Sequence, residues 1–185
     1  MIASGGGGLI GTEYHDLTLS GLADAAPHAR PADLRVLCGL IARFHPRLIE
    51  IAPSQVDALE GFDRARLCLR VSSPEAVSNC PGFGAYVMPV PAPLPDAPRG
   101  CGWLRLLGGD GPSHRLLGPD RPLGGAALKK VLALQEALPG GLQYCPTDGL
   151  HLATGNAVSL LLSGARHFAA AFGGVGASRR LRKSS

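Results

Sequence analysis

Short apolar runs alternate with segments of helical periodicity along this chain, and this alternation constrains the fold more than any other feature. Strands buried in a parallel sheet are apolar on both faces, and the helices that connect them carry one apolar stripe. The alternation therefore predicts an α/β protein with a largely parallel sheet. About seven strands are expected, over residues 13–19, 47–53 and 65–71, near residue 88, and from about residues 102, 141 and 167.

Three segments between these runs have the features of helices, and they span residues 31–45, 125–138 and 153–164. The first begins with a proline, which is favourable in the first turn of a helix. Its expected apolar face consists of Leu34, Leu37, Ile41 and Phe44. Proline and glycine are dense over residues 72–122, so we expect short or missing helices in the middle of the chain.

The composition predicts one folded domain without a nucleic-acid partner. The 185 residues are 45% hydrophobic and 17% charged, which is apolar enough for a core and too poor in charge for disorder. Of the 18 basic residues, four lie in the last seven positions, and the other 14 balance the 14 acidic ones. The body of the protein therefore lacks the basic excess that binds a phosphate backbone.

Several local features indicate a cytoplasmic protein. The five cysteines are odd in number and form no C-x-x-C pair, which is typical of a reducing compartment. The N-terminus lacks the pattern of a secretory signal, and polar residues interrupt the longest apolar region, so we expect no membrane segment. We expect a mobile leader over residues 1–12, which contains four consecutive glycines, one domain over 13–177, and a basic tail over 178–185.

Two parts of the chain resemble the homocitrate synthase and isopropylmalate synthase group of TIM-barrel metal enzymes. DLTLSGL at Asp16–Leu22 and IEIAP at Ile49–Pro53 are similar to the family's D-T-T-L-R-D-G start and its E-x-G-I-P-like second strand. CPTDGLHLATGN from Cys145, SGA at Ser163–Ala165 and GGVGAS at Gly173–Ser178 resemble H-x-H-N-D-L-G-L-A-T-A-N, A-G-A and N-G-x-G-E-R.

The resemblance covers about half of the chain, with a weaker third match at Trp103–Gly111 to the family's L-R-F-A-D-T-L-G strand. Family members are roughly twice as long, and a closed (β/α)8 barrel usually needs about 200 residues or more. The resemblance therefore implies a reduced or incomplete TIM-like barrel.

In this family, a divalent metal is held by the acidic residue of R-D-G and the two histidines of H-x-H, and it polarises a keto-acid substrate. By motif, the acidic ligand falls on Gly21 and its neighbouring arginine on Ser20, while the histidines fall on Cys145 and Thr147. Glycine has no ligand, threonine is a weak one, and a single thiol does not make a site. The resemblance thus implies no metal, no cofactor and no family catalysis.

Five polar residues still match the family and are the candidate ligand-binding residues: Glu50, Arg105, Asp16, Thr18 and Asn156. Asp16, Thr18 and Asn156 match framework positions. Glu50 and Arg105 either grip a ligand or are remnants that pair with each other or with water.

We therefore expect a non-catalytic relative of homocitrate synthase that acts by binding. Homocitrate is the organic ligand of the nitrogenase iron-molybdenum cofactor, so the resemblance implies an accessory protein of nitrogen fixation. Its implied partner is the nitrogenase molybdenum-iron protein, and it would handle homocitrate or cofactor-deficient enzyme. Two alternatives stay open: a lyase or aldolase for an oxo-acid, rebuilt around Glu50, Arg105, Cys145 and His151, or a tricarboxylate-binding sensor.

Overall fold

The computed structural model describes residues 11–90, 94, 98, 100–119, 121–147 and 152–172. Residues 1–10 of the expected leader and the whole expected basic tail lie outside this part of the chain. His151 and the glycine-rich match at residues 173–178 lie outside it as well.

Eight strands form one closed barrel in chain order. They are β1 (Glu13–Asp16), β2 (Leu48–Ile51), β3 (Leu67–Arg70), β4 (Ala85–Pro89), β5 (Gly102–Leu107), β6 (His114–Leu117), β7 (Leu142–Cys145) and β8 (His167–Ala170). β1 pairs in parallel with both β2 and β8, which closes the sheet and leaves no unpaired edge. The expectation of an incomplete barrel with about seven strands is wrong in strand number and in closure, whereas the mostly parallel sheet is confirmed.

The helices are α1 (Thr18–Ala25), α2 (Pro31–Ala42), α3 (Pro74–Asn79), α4 (Gly125–Ala137) and α5 (Ala153–Leu162). The three predicted helices are confirmed as α2, α4 and α5. The first predicted strand was too long, because β1 ends at Asp16 and the backbone N–H of Thr18 donates to the Asp16 carboxylate at 2.8 Å. Such a side-chain bond to the backbone two residues on favours a turn over a continued strand, and α1 begins there.

The fifth strand runs antiparallel to both of its neighbours, which the sequence patterns did not predict. Parallel neighbours need a crossover of about a dozen residues or more, usually with a helix, whereas antiparallel neighbours need only a turn. Between β3 and β6, the described residues contain a single helix, α3, of six residues. The expectation of short or missing helices in the middle is confirmed, and their shortage accounts for the reversed strand.

Strand residues alternate between the interior and the outer layer, where the helices pack. On the outside, Ile49 and Ile51 of β2 pack with Leu34, Cys38 and Ile41 of α2. The prediction that Phe44 belongs to this face is wrong. The helix α2 ends at Ala42, and Phe44 is 61% exposed. Among the described residues, no helix has the length and apolar character to span a membrane.

Candidate functional site in the barrel interior and mouth

A buried polar network crosses the interior of the barrel. Glu50 lies on β2 and accepts a hydrogen bond through Oε1 from the Ser20 hydroxyl of α1, at 2.8 Å. Its Oε2 accepts a hydrogen bond from Nη1 of Arg115 on β6. Nε of Arg115 donates to Oε1 of Gln143 on β7. The network therefore joins three strands and the first helix.

The Glu50–Arg115 ion pair connects opposite walls of the barrel. β2 and β6 are four strands apart in a closed sheet of eight, and both side chains are only 1% exposed. Burial alone would lower the pKa of Arg115, but the nearby Glu50 carboxylate raises it, and the net pKa lies above the ordinary value. Removing one member of such a pair leaves an uncompensated charge in the interior.

His15 is a third buried titratable side chain in this region, on β1. Its pKa is lowered to about 3, first by burial and then by the positive charges of Arg115, Arg47 and His167. The imidazole is consequently neutral at physiological pH. Its Nδ1 has no hydrogen-bond partner among the described residues.

Arg105 does not take part in this network, although the sequence left open that it grips a ligand together with Glu50 or pairs with it. It lies on β5 between Leu104 and Leu106, which pack in an interior cluster, so the alternation of the strand directs Arg105 outwards, and it is exposed. Arg115, on the unpredicted strand β6, supplies the guanidinium instead. Of the alternatives for these two residues, direct pairing of Glu50 with Arg105 is therefore wrong, and a lyase site rebuilt around them stays a prediction.

Asp16 and Thr18 form the turn between β1 and α1. Besides the Asp16 bond to the Thr18 amide, Oγ1 of Thr18 accepts a hydrogen bond from the backbone N–H of Phe172 at 2.9 Å. Burial raises the pKa of the Asp16 carboxyl, and the hydrogen bonds from Thr18 oppose this rise without cancelling it. These contacts serve the backbone, in agreement with a framework role.

Asn156 connects α5 to the segment that follows β6. Its Oδ1 accepts from the backbone N–H of Leu123 at 2.8 Å, and its Nδ2 donates to the backbone carbonyl of Arg121 at 3.0 Å. Both ends of the amide are therefore used to position a loop. Asn156 is also a framework residue in this structure.

The three positions that the resemblance aligns with metal ligands lie near the carboxyl-terminal ends of β1 and β7. TIM barrels carry their active sites at the carboxyl-terminal end of the strands. Gly21 offers no side chain, and Cys145 is buried in a cluster with Leu17, Leu117 and Ala169. Oγ1 of Thr147 is buried without a hydrogen-bond partner among the described residues. This set does not fit a divalent metal, and the described part of the chain holds no group of three His, Cys, Asp or Glu residues that does.

A cavity of about 610 Å³ opens at the same end of the barrel, where β3, β4 and β6 end and β5 begins. Its wall is mainly apolar and includes Val87, Leu117 and the buried Trp103, whose Nε1 has no partner among the described residues. Arg70 also lines the cavity, but its guanidinium makes two hydrogen bonds of 2.9 Å to the Asp24 carboxylate. The volume suits a small organic molecule.

The sequence patterns missed Ser20, Arg115 and Gln143 as members of the interior network. For Arg115, the available signal was a charged residue inside the short run HRLL, with glycine-proline turns on both sides. A run of four residues is too short to separate a strand from a loop by its period.

Comparisons of this chain with protein-family models, with curated proteins and with solved structures found no match.

Proposed function

We propose that this protein is a non-catalytic, TIM-like barrel that acts by binding, as an accessory protein of nitrogen fixation. The observation that supports the non-catalytic part is that both carboxylate oxygens of Glu50 are hydrogen-bonded inside the barrel. This residue corresponds to the acid that faces the substrate pocket in the homocitrate synthase group, and here it is bonded to Arg115 and Ser20 inside the barrel. A carboxylate neutralised in this way does not orient a substrate at the mouth.

The proposed partner is the nitrogenase molybdenum-iron protein, in the cytoplasm. This step is supported by the motif resemblance, because homocitrate is a component of the nitrogenase cofactor. A barrel that keeps the scaffold but has replaced the metal ligands keeps surfaces for recognition. The proposed role is to bind the molybdenum-iron protein, with homocitrate or the cofactor-deficient form of that enzyme as further ligands.

Direct binding tests the partner. The full chain, immobilised through a tag, is exposed to purified molybdenum-iron protein in its cofactor-loaded and cofactor-deficient forms, and association is followed by biolayer interferometry. We expect saturable binding of at least one form, and enrichment of the same protein when the tagged chain is used for affinity capture from a nitrogen-fixing culture. Absence of binding to both purified forms would exclude this partner.

A separate experiment tests the absence of family catalysis. The purified chain is analysed for bound metal and is then assayed with acetyl-CoA, 2-oxoglutarate and added divalent metal. We expect no turnover and no stoichiometric metal. Condensation of the two substrates would contradict the non-catalytic part, and it would leave the partner open to the binding experiment.

The mouth cavity favours a second candidate function, binding of a small molecule as a sensor. A tricarboxylate needs several cations or donors, whereas this wall is mainly apolar and the charge of Arg70 is already matched by Asp24. The cavity therefore suits a ligand with an apolar body and at most one charged group.

Trp103 is the only tryptophan in the chain and it lines the cavity, so its fluorescence reports on binding. We expect octanoate to change the emission and to raise the melting temperature at concentrations well above its dissociation constant, and homocitrate to do neither. Substitution of Val87→Phe, which fills part of the cavity, should weaken the octanoate response. A response to homocitrate alone would instead support a tricarboxylate sensor.

A further inference from the structure

The outer face of α2 carries apolar side chains that no described part of the chain covers. Val36 is 64% exposed and Leu40, one turn later, is 48% exposed. The core-facing side of the same helix is formed by other residues: Leu34, Cys38 and Ile41. Val36 and Leu40 are therefore not needed for packing α2 onto the barrel.

Two aromatic rings extend this surface beyond the end of the helix. The ring centroids of Phe44 and Phe172 are 5.1 Å apart, and both side chains stay about half exposed or more. Together, Val36, Leu40, Phe44 and Phe172 form what we call the α2 patch. Large apolar side chains exposed close together on a folded protein are typical of an interaction surface.

Gly39 lies beside the patch, and the fold of a single chain does not require glycine there. A Cβ atom at this position would meet no other atom within 4 Å, and the backbone has no positive φ. Glycine is a poor helix former, so its place in the middle of α2 weakens the helix. A missing side chain does, however, allow the backbone of another helix to approach closely.

We propose that the α2 patch binds the α2 patch of a second copy of the chain, with the two helices antiparallel. The two-fold axis would cross the outer face of α2 midway between Val36 and Leu40. A two-fold interface must be self-complementary. This register places Val36 opposite Leu40 of the second copy. It also places Asp33, three residues before Val36, opposite Arg43 of the second copy, three residues after Leu40.

The charges at the two ends of the patch fit this register. Asp33 is exposed and bonded to the exposed Arg30. Arg43 is exposed and has no ion-pair partner among the described residues. In the antiparallel pair, each Arg43 meets the Asp33 carboxylate of the other copy, and Gly39 lies next to the axis, where the helices come closest.

The size of the contact sets the expected strength. Twelve residues of α-helix span about 18 Å, so contact through one helix and two aromatic rings buries less than the roughly 1,200 Å² of a standard interface. The dimer should therefore be weak, with a dissociation constant on the order of micromolar to tens of micromolar.

Sedimentation velocity of the full chain, over about 1 to 200 µM, tests the pairing. We expect a reversible monomer–dimer equilibrium, and at least a roughly tenfold higher dissociation constant for Leu40→Glu. Leu162→Glu is the matched control, because Leu162 on α5 is an 83% exposed leucine outside the patch, and it should leave the equilibrium unchanged. A chain that stays monomeric throughout, or a dimer that Leu40→Glu does not weaken, overturns the proposal.

Charge reversal tests the antiparallel register. Asp33→Arg and Arg43→Asp should each weaken the dimer, because each places like charges opposite one another, and the double variant should restore association. Gly39→Ala should raise the melting temperature of the monomer and also raise the dissociation constant. A double variant no tighter than the single ones, or a Gly39→Ala dimer as tight as the wild type, would refute this arrangement.

Discussion

Acidification should destabilise the barrel through His15. The pKa of this buried side chain is about 3 in the folded protein, mainly because of burial and then because of Arg115, Arg47 and His167. In the unfolded chain the pKa returns to about 6.5. Below that pH, the unfolded state binds a proton that the folded state does not bind. The free energy of unfolding is therefore not reduced by His15 above about pH 6.5, and it falls progressively as the pH decreases towards about 3.

The size of the effect follows from these two pKa values. At pH 5, the unfolded imidazole is almost fully protonated and the folded one is almost fully neutral. A proton bound only in the unfolded state costs about 1.4 kcal/mol of stability per pH unit. From pH 8 to pH 5, His15 alone should therefore lower the free energy of unfolding by about 2 kcal/mol.

Urea unfolding followed by circular dichroism at pH 8, 6.5 and 5 measures this loss for the wild type and for His15→Gln. Other titrating groups cancel in the difference between the two proteins, including His114, whose pKa is also lowered by burial. The difference should change by about 2 kcal/mol across this range. His28→Gln, at an exposed histidine, is the control and should keep the wild-type pH dependence. An unaltered pH dependence in His15→Gln, or an imidazole that titrates near pH 6.5 by NMR, would refute the reasoning.

Three further predictions concern side-chain contacts and one turn, and each is measured by urea unfolding at pH 7. Arg115→Met should lower the free energy of unfolding by about 3–5 kcal/mol, because it leaves the Glu50 carboxylate buried without its cation. The double variant Glu50→Gln/Arg115→Met should recover much of this loss. Equal stability of the single and double variants would contradict an interacting pair. Asn156→Ala should lower the free energy of unfolding by about 2 kcal/mol, because the buried backbone N–H of Leu123 and the partly buried carbonyl of Arg121 each lose a hydrogen bond. A loss near zero would argue against its role in positioning the loop. Gly140→Ala should cost about 2 kcal/mol or more, because φ is +68° and the new Cβ would lie 2.3 Å from the carbonyl oxygen of Gly111; a neutral effect would mean that this turn has another backbone geometry.

Strand and helix positions could be predicted where local patterns are strong. RLIEIAP and ARLCLRV are dense in apolar and branched residues, and they contain β2 and β3. The proline at the start of α2 and the glycines after α4 predicted where those two helices begin and end. In contrast, β6 has four residues between two glycine-proline turns, and nothing in so short a run distinguishes it from a loop.

The candidate site was predictable only in part, for a related reason. Glu50 was identified from its motif, and its burial on β2 fits a residue of an apolar strand. Pairing with Arg105 was one of the alternatives for it, because the resemblance included both residues. Whether Arg105 or Arg115 faces the interior depends on the register of its strand in the sheet. A register shift of one residue moves every side chain of the strand to the opposite face. The antiparallel direction of β5 and the existence of β6 were both needed to select Arg115.

By itself, the sequence determined the alternating elements, their approximate ends and the neutral body, because these depend on residue type and local spacing. Only the tertiary structure decided that the sheet closes with eight strands, that β5 is reversed and that Glu50 meets Arg115 across the barrel. The physical reason is that interior contacts in a closed barrel join residues far apart in the chain. These contacts depend on the register and direction of all the strands at once.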